Sequence, residues 1–366
     1  MSLLVDIEKE LADFTLKVHF SIDRPRETLA LLGPSGCGKS MTLKCIAGVE
    51  RPDRGRIVLG DRVLFDSEAR IDLVPQRRHV GYLFQNYALF PQMSVWQNVM
   101  AGAAGSTKAA RAQKARAQLG AMRLEGMEQR MPAELSGGQQ QRCAMARILA
   151  NEPELILLDE PFSAIDSYLR WQLELELADV LRGFSGGAVY VSHNRDEVYR
   201  LCDSVCVLDR GHSESKVSVG DLFATPKSLA AALISGCKNV SRAKCVGTGL
   251  LRCEDWGVTL RTSCPCSDSV SHVGVRAHYF TARPVTQESA PLENEMVCGV
   301  ERVIDSTFSS IVMLRSPGGG PIRYECAKEA WDSLGNPTQL LISVAPDKVM
   351  PLEGGSSMVT EEGFDA

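Results

Sequence analysis

Short apolar runs, each closed by glycine or by polar residues, alternate with helix-spaced segments over the first two thirds of the chain. Residues 27–32 read as a short apolar strand that delivers the chain into a glycine-rich stretch. Residues 40–47 then carry apolar Leu43, Ile46 and Ala47 at helical spacing, with Gly48 as a stop. Leu155, Ile156, Leu157 and Leu158 form a continuous apolar run ending in Asp159 and Glu160, as a buried parallel strand does. Ala188, Val189, Tyr190 and Val191 form another, ending at Ser192 and His193. The pattern predicts an α/β domain with a largely parallel sheet. Both runs set polar residues at strand C-termini, where open α/β sheets hold their ligands.

Residues 86–135 are rich in alanine, glutamine, arginine and methionine and read as mostly helical. The basic stretch 108–123 within them reads as a solvated helix face. Beyond about Gly236 the character changes. Segments such as Val258-Thr259-Leu260, Val273-Gly274-Val275 and Ile311-Val312-Met313-Leu314 alternate with turns, which predicts a small all-β domain. Gly318-Gly319-Gly320-Pro321 reads as a turn between two of its strands. The predicted organisation is therefore 1–235, 236–352 and a flexible acidic tail over 353–366.

Composition narrows the picture. The length suits two ordinary domains, and 44% apolar with 23% charged residues is the balance of a soluble globular chain. No apolar run approaches the roughly 18 residues that cross a bilayer. The N-terminus has no basic start and acquires acids at once, unlike a signal peptide. Membrane contact is expected only through a partner. A net charge of −5 disfavours a nucleic-acid surface. The twelve cysteines do not imply a disulfide scaffold in so large a chain, and a reduced, cytosolic protein is expected. Cys45, Cys143 and Cys206 fall inside predicted elements as small apolar residues. Cys264 and Cys266, with Cys253 nearby, match no standard zinc spacing.

The chemistry starts at Gly33-Pro34-Ser35-Gly36-Cys37-Gly38-Lys39-Ser40, which fits the phosphate-loop pattern between a strand and a helix. Its glycines permit close backbone approach to phosphate, and the following helix aims its positive end there. Lys39 would contact the β- and γ-phosphates of ATP, and the Ser40 hydroxyl would bind Mg²⁺. Asp159 would hold Mg²⁺ directly or through water; alone, Asp159 and Glu160 before Pro161 also read as an acidic helix cap. Ser136, Gly137, Gly138 and Gln139 precede an amphipathic stretch, with Ser136 as a natural N-cap and backbone amides left open.

Leu135-Ser136-Gly137-Gly138-Gln139 downstream of a phosphate loop resembles the ATP-binding cassette (ABC) proteins. That resemblance implies a P-loop ATPase fold with a helical subdomain near 86–150. It also implies a homodimer in which Ser136–Gln139 of one copy face the γ-phosphate bound by the other. Glu160 would polarise the attacking water, and His193 would contact the γ-phosphate. Gln85 would contact Mg²⁺ and that water and link to a membrane partner. Ser163-Ala164-Ile165-Asp166 resembles the loop that speaks across the dimer, with Ile165 where leucine is more usual. The family stacks adenine on an upstream aromatic residue; Phe14 is the choice over Phe20, set against its burial in the core.

Tyr87-Ala88-Leu89-Phe90-Pro91 resembles the region of importers that docks a permease coupling helix. Residues 56–67 and 236–243 are similar to those of molybdate importer ATPases, whose C-terminal domain is an OB-like oxyanion-binding module. The implied partners are two permease subunits, a solute-binding protein and an oxyanion at the C-terminal domain, where Ser241, Arg242, Lys244 or Ser306 could serve. The implied location is peripheral, on the cytoplasmic face of the membrane. Sulfate or thiosulfate, sugar and polyamine remain alternative cargoes. A cassette ATPase acting on DNA or the ribosome, or a non-hydrolysing regulator, are the alternatives of other classes.

Overall fold

The computed structural model describes residues 2–163, 165, 167–285 and 291–354. Ala164 and Asp166 of the cross-dimer loop, and the tail from 355 on, lie outside the described residues. The chain divides into two compact units, Met1–Val219 and Gly220–Ala366. That division precedes the expected 235/236 boundary. The reason is the short helix Leu229–Ile234, whose Leu229 and Ala232 bury with Cys237, Met350 and Leu352 in a cluster of the second unit.

Five strands run parallel at the centre of the first unit, in the order Val80–Leu83, Leu155–Asp159, Gly187–Ser192, Thr28–Leu32 and Ser204–Asp209. Every residue of the middle three is buried, as expected where both faces of a sheet are covered. The sheet continues into a half that the apolar runs do not announce. Leu3–Glu10, Thr15–Ile22, Arg54–Leu59 and Arg62–Asp66 pair antiparallel. Their residues alternate between core and solvent, so they show no continuous apolar run. The sheet is therefore mixed rather than largely parallel.

Among the described residues this unit has the helices α1 Lys39–Ala47, α2 Val95–Gly102, α3 Lys108–Ala121, α4 Gly137–Leu149, α5 Ser167–Gly183 and α6 Arg195–Leu201. Helices α2, α3 and α4 pack on one another as the expected helical subdomain. Within 86–135 only α2, α3 and the short 3₁₀ turn Pro132–Glu134 are helical, and the rest is loop. Among the described residues no helix is long and apolar enough to cross a membrane.

The second unit builds two five-stranded antiparallel sheets. One runs Val258–Arg261, Leu250–Cys253, Asn239–Gly247, Val270–Val275, Met350–Glu353; the other runs Phe280–Pro284, Gln339–Val344, Glu295–Asp305, Ser309–Arg315, Pro321–Ala327. Both contribute to one core around the fully buried Trp256, consistent with an OB-like module. The glycine turn joins Ser309–Arg315 to Pro321–Ala327 as expected.

One buried cation holds α1 in place. Arg78 has no exposed surface, and its guanidinium donates to Cys45 O and Ile46 O at the C-terminal end of α1, to Leu73 O and to Asp72. A cation suits this negative end of the helix dipole. It also explains Gly48, because a Cβ there would lie 2.4 Å from Arg78 Nε. Arg78→Ala would strip the guanidinium from three carbonyls, of which Cys45 O keeps only the Gly48 amide. A loss of about 3 kcal/mol is expected, read as a fall of about 10 °C in the melting of this unit. An unchanged melting temperature would show that solvent replaces the guanidinium without cost.

Candidate functional site

Strand register assembles the site. The ladders pair Leu83 with Leu158, Asp159 with Val191 and Leu32 with Ser192. One or two residues beyond these pairs the chain reaches Gln85, Glu160, His193 and Gly33. Four segments distant in sequence thus leave the sheet along one edge, the C-terminal edge where α/β sheets bind ligands.

The glycine-rich loop begins at Gly33, where a Cβ would come 2.2 Å from Leu208 O. It ends at Gly38, which caps α1 with φ at 107°, a backbone conformation that only glycine adopts freely. Lys39 follows, nearly buried, with Nζ donating to Gly33 O at 2.7 Å and Pro34 O at 2.8 Å. No carboxylate among the described residues pairs with this ammonium. A buried positive charge held by two carbonyls and, at 3.9 Å, the Cys37 sulfur, at the N-terminal end of a helix, is a ready receptor for phosphate.

Beside it the Ser40 hydroxyl donates to Asp159 Oδ1 at 2.8 Å, and the Tyr82 hydroxyl donates to Oδ2 at 2.9 Å. Burial first, then the adjacent Asp159, push the Tyr82 phenol well above its ordinary range, so it stays a donor. A hydroxyl and a carboxylate are oxygen donors of the kind Mg²⁺ takes together with substrate phosphates, so these residues fit the ion. Glu160 stands next in the left-handed region at φ 46°, a position costly for a side chain with a Cβ. Its amide donates to Val191 O at 3.0 Å, and its carbonyl accepts from the Ser163 hydroxyl. This turn brings Glu160 Oε1 to 3.3 Å from His193 Nδ1. A carboxylate and an imidazole in contact at a sheet edge can order a water and take its proton.

Gln85 is exposed just past its strand. The loop beyond it is built under strain, with Tyr87 and Ala88 at φ 60° and 44°. Arg147 near the end of α4 donates to Ala88 O at 2.7 Å and Tyr87 O at 3.0 Å, and lies over the Phe90 ring. Asn98 of α2 closes the other side through Phe90, Met93 and Ser94. At the opposite end of α4, Ser136 Oγ accepts from Gln139 N while Gln139 Oε1 accepts from Ser136 N. Gly137 is exposed, and a Cβ on it would meet nothing within 4 Å. Nothing in its own chain demands glycine there. The hydrogen bonds of Ser136–Gln139 are all local, and none reaches the loop of Lys39 among the described residues.

A family model for the ABC transporter matches residues 16–163. The iron(III) import ATP-binding protein FbpC 2 of Haemophilus influenzae is 34% identical over 78% of this chain and 79% of its own length. The chain belongs to the ABC transporter ATP-binding family. The spermidine/putrescine import ATP-binding protein PotA of Bacillus cereus is 39% identical over 64% of the chain and 71% of its own. Among solved structures, the dimeric bacterial ABC transporter cassette MJ0796 aligns with TM-score 0.50 and 26% identity over 60% of this chain and 99% of its own. It has also been seen bound to ADP and Pi. CbiO1 of Clostridium perfringens, part of the transporter complex cbiONQ, gives 0.53 and 25% over 61% and 90%.

Within this ABC cassette the two aromatic candidates separate. Phe20 is 2% exposed in the core and offers no face to a base. Phe14 is half-buried in the turn before Thr15–Ile22, resting against Gly211. It stands two residues before Leu16, whose side chain packs on Gly38 of the phosphate loop. In the C-terminal unit the oxyanion candidates are engaged elsewhere. Arg242 pairs with Asp255 and Lys244 with Glu254, while Ser241 is buried and bonded to Arg242 O and Asp255 N. Ser306 is exposed, apart from these pairs.

Tyr82 and Arg147 escaped the sequence reading because their partners are 77 and 59 positions away, and Asn98 because its nearby partners are backbone groups of an irregular loop. Tyr82 had one signal, a phenol three residues before Gln85 in an apolar strand. Tyr82→Phe removes one of the two hydrogen bonds that orient Asp159. The Mg²⁺ concentration for half-maximal ATPase is expected to rise about tenfold, with little change in nucleotide affinity measured without metal.

Proposed function

We propose that the chain is the ATP-hydrolysing subunit of an ABC importer, acting as a homodimer on two membrane permease subunits at the cytoplasmic face. The observation that carries this reading is the buried, acid-free Lys39 ammonium beside Asp159, Glu160 and His193 on one sheet edge. In the proposed cycle Gly33–Ser40 hold the phosphates of ATP, with Pro34, Ser35, Gly36 and Cys37 contributing backbone and Lys39 the β- and γ-contacts. Ser40, Asp159 and Gln85 would hold Mg²⁺, which neutralises developing charge on the phosphates. The adenine rests on Phe14.

Two copies close so that the Ser136–Gln139 run of each, with the open amides of Gly137 and Gly138 and the Ser136 hydroxyl, faces the γ-phosphate on the other. Their purely local bonding and the bare Gly137 support an external ligand there. Glu160 takes the proton of the attacking water, and His193 keeps the carboxylate aimed and contacts the γ-phosphate. Arg147 ties the phosphate-facing helix α4 to the 87–90 loop, so closure moves the loop that docks the permease. Glu160→Gln should lower turnover about 10²-fold or more while ATP stays bound. Hydrolysis at the parent rate would remove Glu160 from the role of base.

The finer proposal is cargo of the molybdate class, delivered by a solute-binding protein. The similarity of residues 56–67 and 236–243 to molybdate importers supports it. The names of the similar relatives point instead to iron(III) or polyamine import, and the pairing of Arg242 and Lys244 removes the simplest regulatory oxyanion site. The test is the assembled transporter in proteoliposomes, with ATPase read under molybdate, iron(III) or spermidine. Stimulation by molybdate is expected; stimulation only by iron(III) or spermidine overturns the cargo and leaves the importer reading intact.

A further inference from the structure

His193 is exposed just past Gly187–Ser192, so packing does little to hold its side chain against Glu160. What places it is the backbone turn that carries it, and that turn is built on one buried acid. Glu197, in the first turn of α6, is 4% exposed. Its Oε2 accepts from the Tyr190 hydroxyl at 2.8 Å and from the Ser192 hydroxyl at 2.7 Å. Ser192 Oγ in turn accepts from Asn194 N at 2.9 Å, closing the turn across His193. Asn194 Oδ1 caps α6, accepting from Asp196 N at 2.9 Å and Glu197 N at 3.4 Å. Burial first, then the charge of Glu197, push the Tyr190 phenol well above its ordinary range, so it stays a donor.

The other oxygen of this carboxylate faces α5. Glu197 Oε1 lies 3.9 Å from Arg170 Nη1, and Arg170 Nη2 donates to Ile165 O at 3.3 Å. Ile165 N donates to Phe162 O at 3.2 Å, and Ser163 N donates to Glu160 O at 3.2 Å. Glu160 and His193 meet directly at 3.3 Å. They are therefore also joined the long way round, through Ile165, Arg170, Glu197 and Ser192. Such a circuit holds its members in one arrangement, because releasing a buried charge from its partners is costly. A second pair braces the same two helices: Arg200 Nε of α6 donates to Glu174 of α5 at 2.9 Å. That brace keeps α5 on α6 when the first pair is broken.

We propose that Glu197 and Arg170 are positioning residues for ATP hydrolysis. Glu197 sets the place of His193 against Glu160, and Arg170 ties that place to the loop at Ile165. The inference rests on the reading of Glu160 and His193 as the hydrolytic pair. Both residues act through His193 rather than on the nucleotide. A shift of the loop at Ile165 passes to the imidazole through Arg170, Glu197 and Ser192, so whatever seats that loop also seats His193. Misplacing a reacting group by about 1 Å costs up to roughly 10²-fold in rate, so small losses of order here are visible in turnover.

The test compares Glu197→Gln and Arg170→Ala in the full-length chain, with Arg200→Ala as the control for the helix brace and Glu160→Gln as the control for the base. Turnover is expressed per nucleotide-binding site, and ATP affinity is measured without metal. Both positioning variants should lose about tenfold in kcat with ATP affinity unchanged, while Arg200→Ala lowers the melting temperature and keeps kcat. On a His193→Ala background, Glu197→Gln should cost no further activity. A further tenfold loss there would show that Glu197 acts apart from His193 and overturns the assignment. The crystal structure of Glu197→Gln should show His193 withdrawn from Glu160; an unmoved pair overturns it too, and this decides even where a double variant turns over too slowly to measure. If Glu160→Gln stops turnover while Glu197→Gln and Arg170→Ala keep the parent kcat, the positioning role falls and the hydrolytic reading stands. If Glu160→Gln hydrolyses at the parent rate, both fall.

Discussion

The lateral register of the parallel strands is the constraint on which the rest of the first unit depends. Thr28–Leu32, Leu155–Asp159 and Gly187–Ser192 are buried on both faces, so a slip by one residue would drive polar ends into the core. Because that register is fixed, Gly33, Glu160 and His193 emerge side by side. Their grouping is thus a by-product of hydrophobic burial well below it. Arg78 adds the axial constraint, holding the far end of α1 so that its near end presents Lys39 to the same edge.

Helix α4 joins two tasks in one rigid body. Its N-terminus carries the capped Ser136–Gln139 run with the exposed Gly137, and its last turn carries Arg147, bonded to the strained Tyr87–Ala88 turn. Any movement that seats the first end on a phosphate carries the other end with it. A single side chain bonded to two successive carbonyls transmits such motion better than apolar contact, since hydrogen bonds fix direction as well as distance. The two ends of α4 are coupled here by construction.

The two units differ in how much of them can be read along the chain. In the first, the phosphate loop, the Ser136–Gln139 run and the two buried strands are contiguous, so their chemistry is legible from spacing alone. The antiparallel half of the sheet was not, because Leu3–Glu10 and Thr15–Ile22 bury only alternate residues. Tyr82 and Arg147 were not legible either, since each acts on a partner that only folding brings near. In the second unit the short strands announced an all-β module, while its groups for binding could not be inferred. Arg242 and Lys244 look like anion ligands in a sequence and prove to be neutralised by Asp255 and Glu254.

By itself the sequence determined the nucleotide chemistry: a glycine-rich loop, its lysine, and acids closing an apolar strand are local features that need little else to act. It also determined the family, since Leu135–Gln139 distinguishes this class from other phosphate-loop proteins. Tertiary structure decided the pairings across long chain separations. Ser40 meets Asp159, and Glu160 meets His193. It also moved the division of the chain to Val219/Gly220, because Leu229 and Ala232 bury against Met350 and Leu352. The physical reason is common to all of these. Local conformation follows from neighbours in sequence, whereas which side chains satisfy one another is settled only when the whole core excludes water.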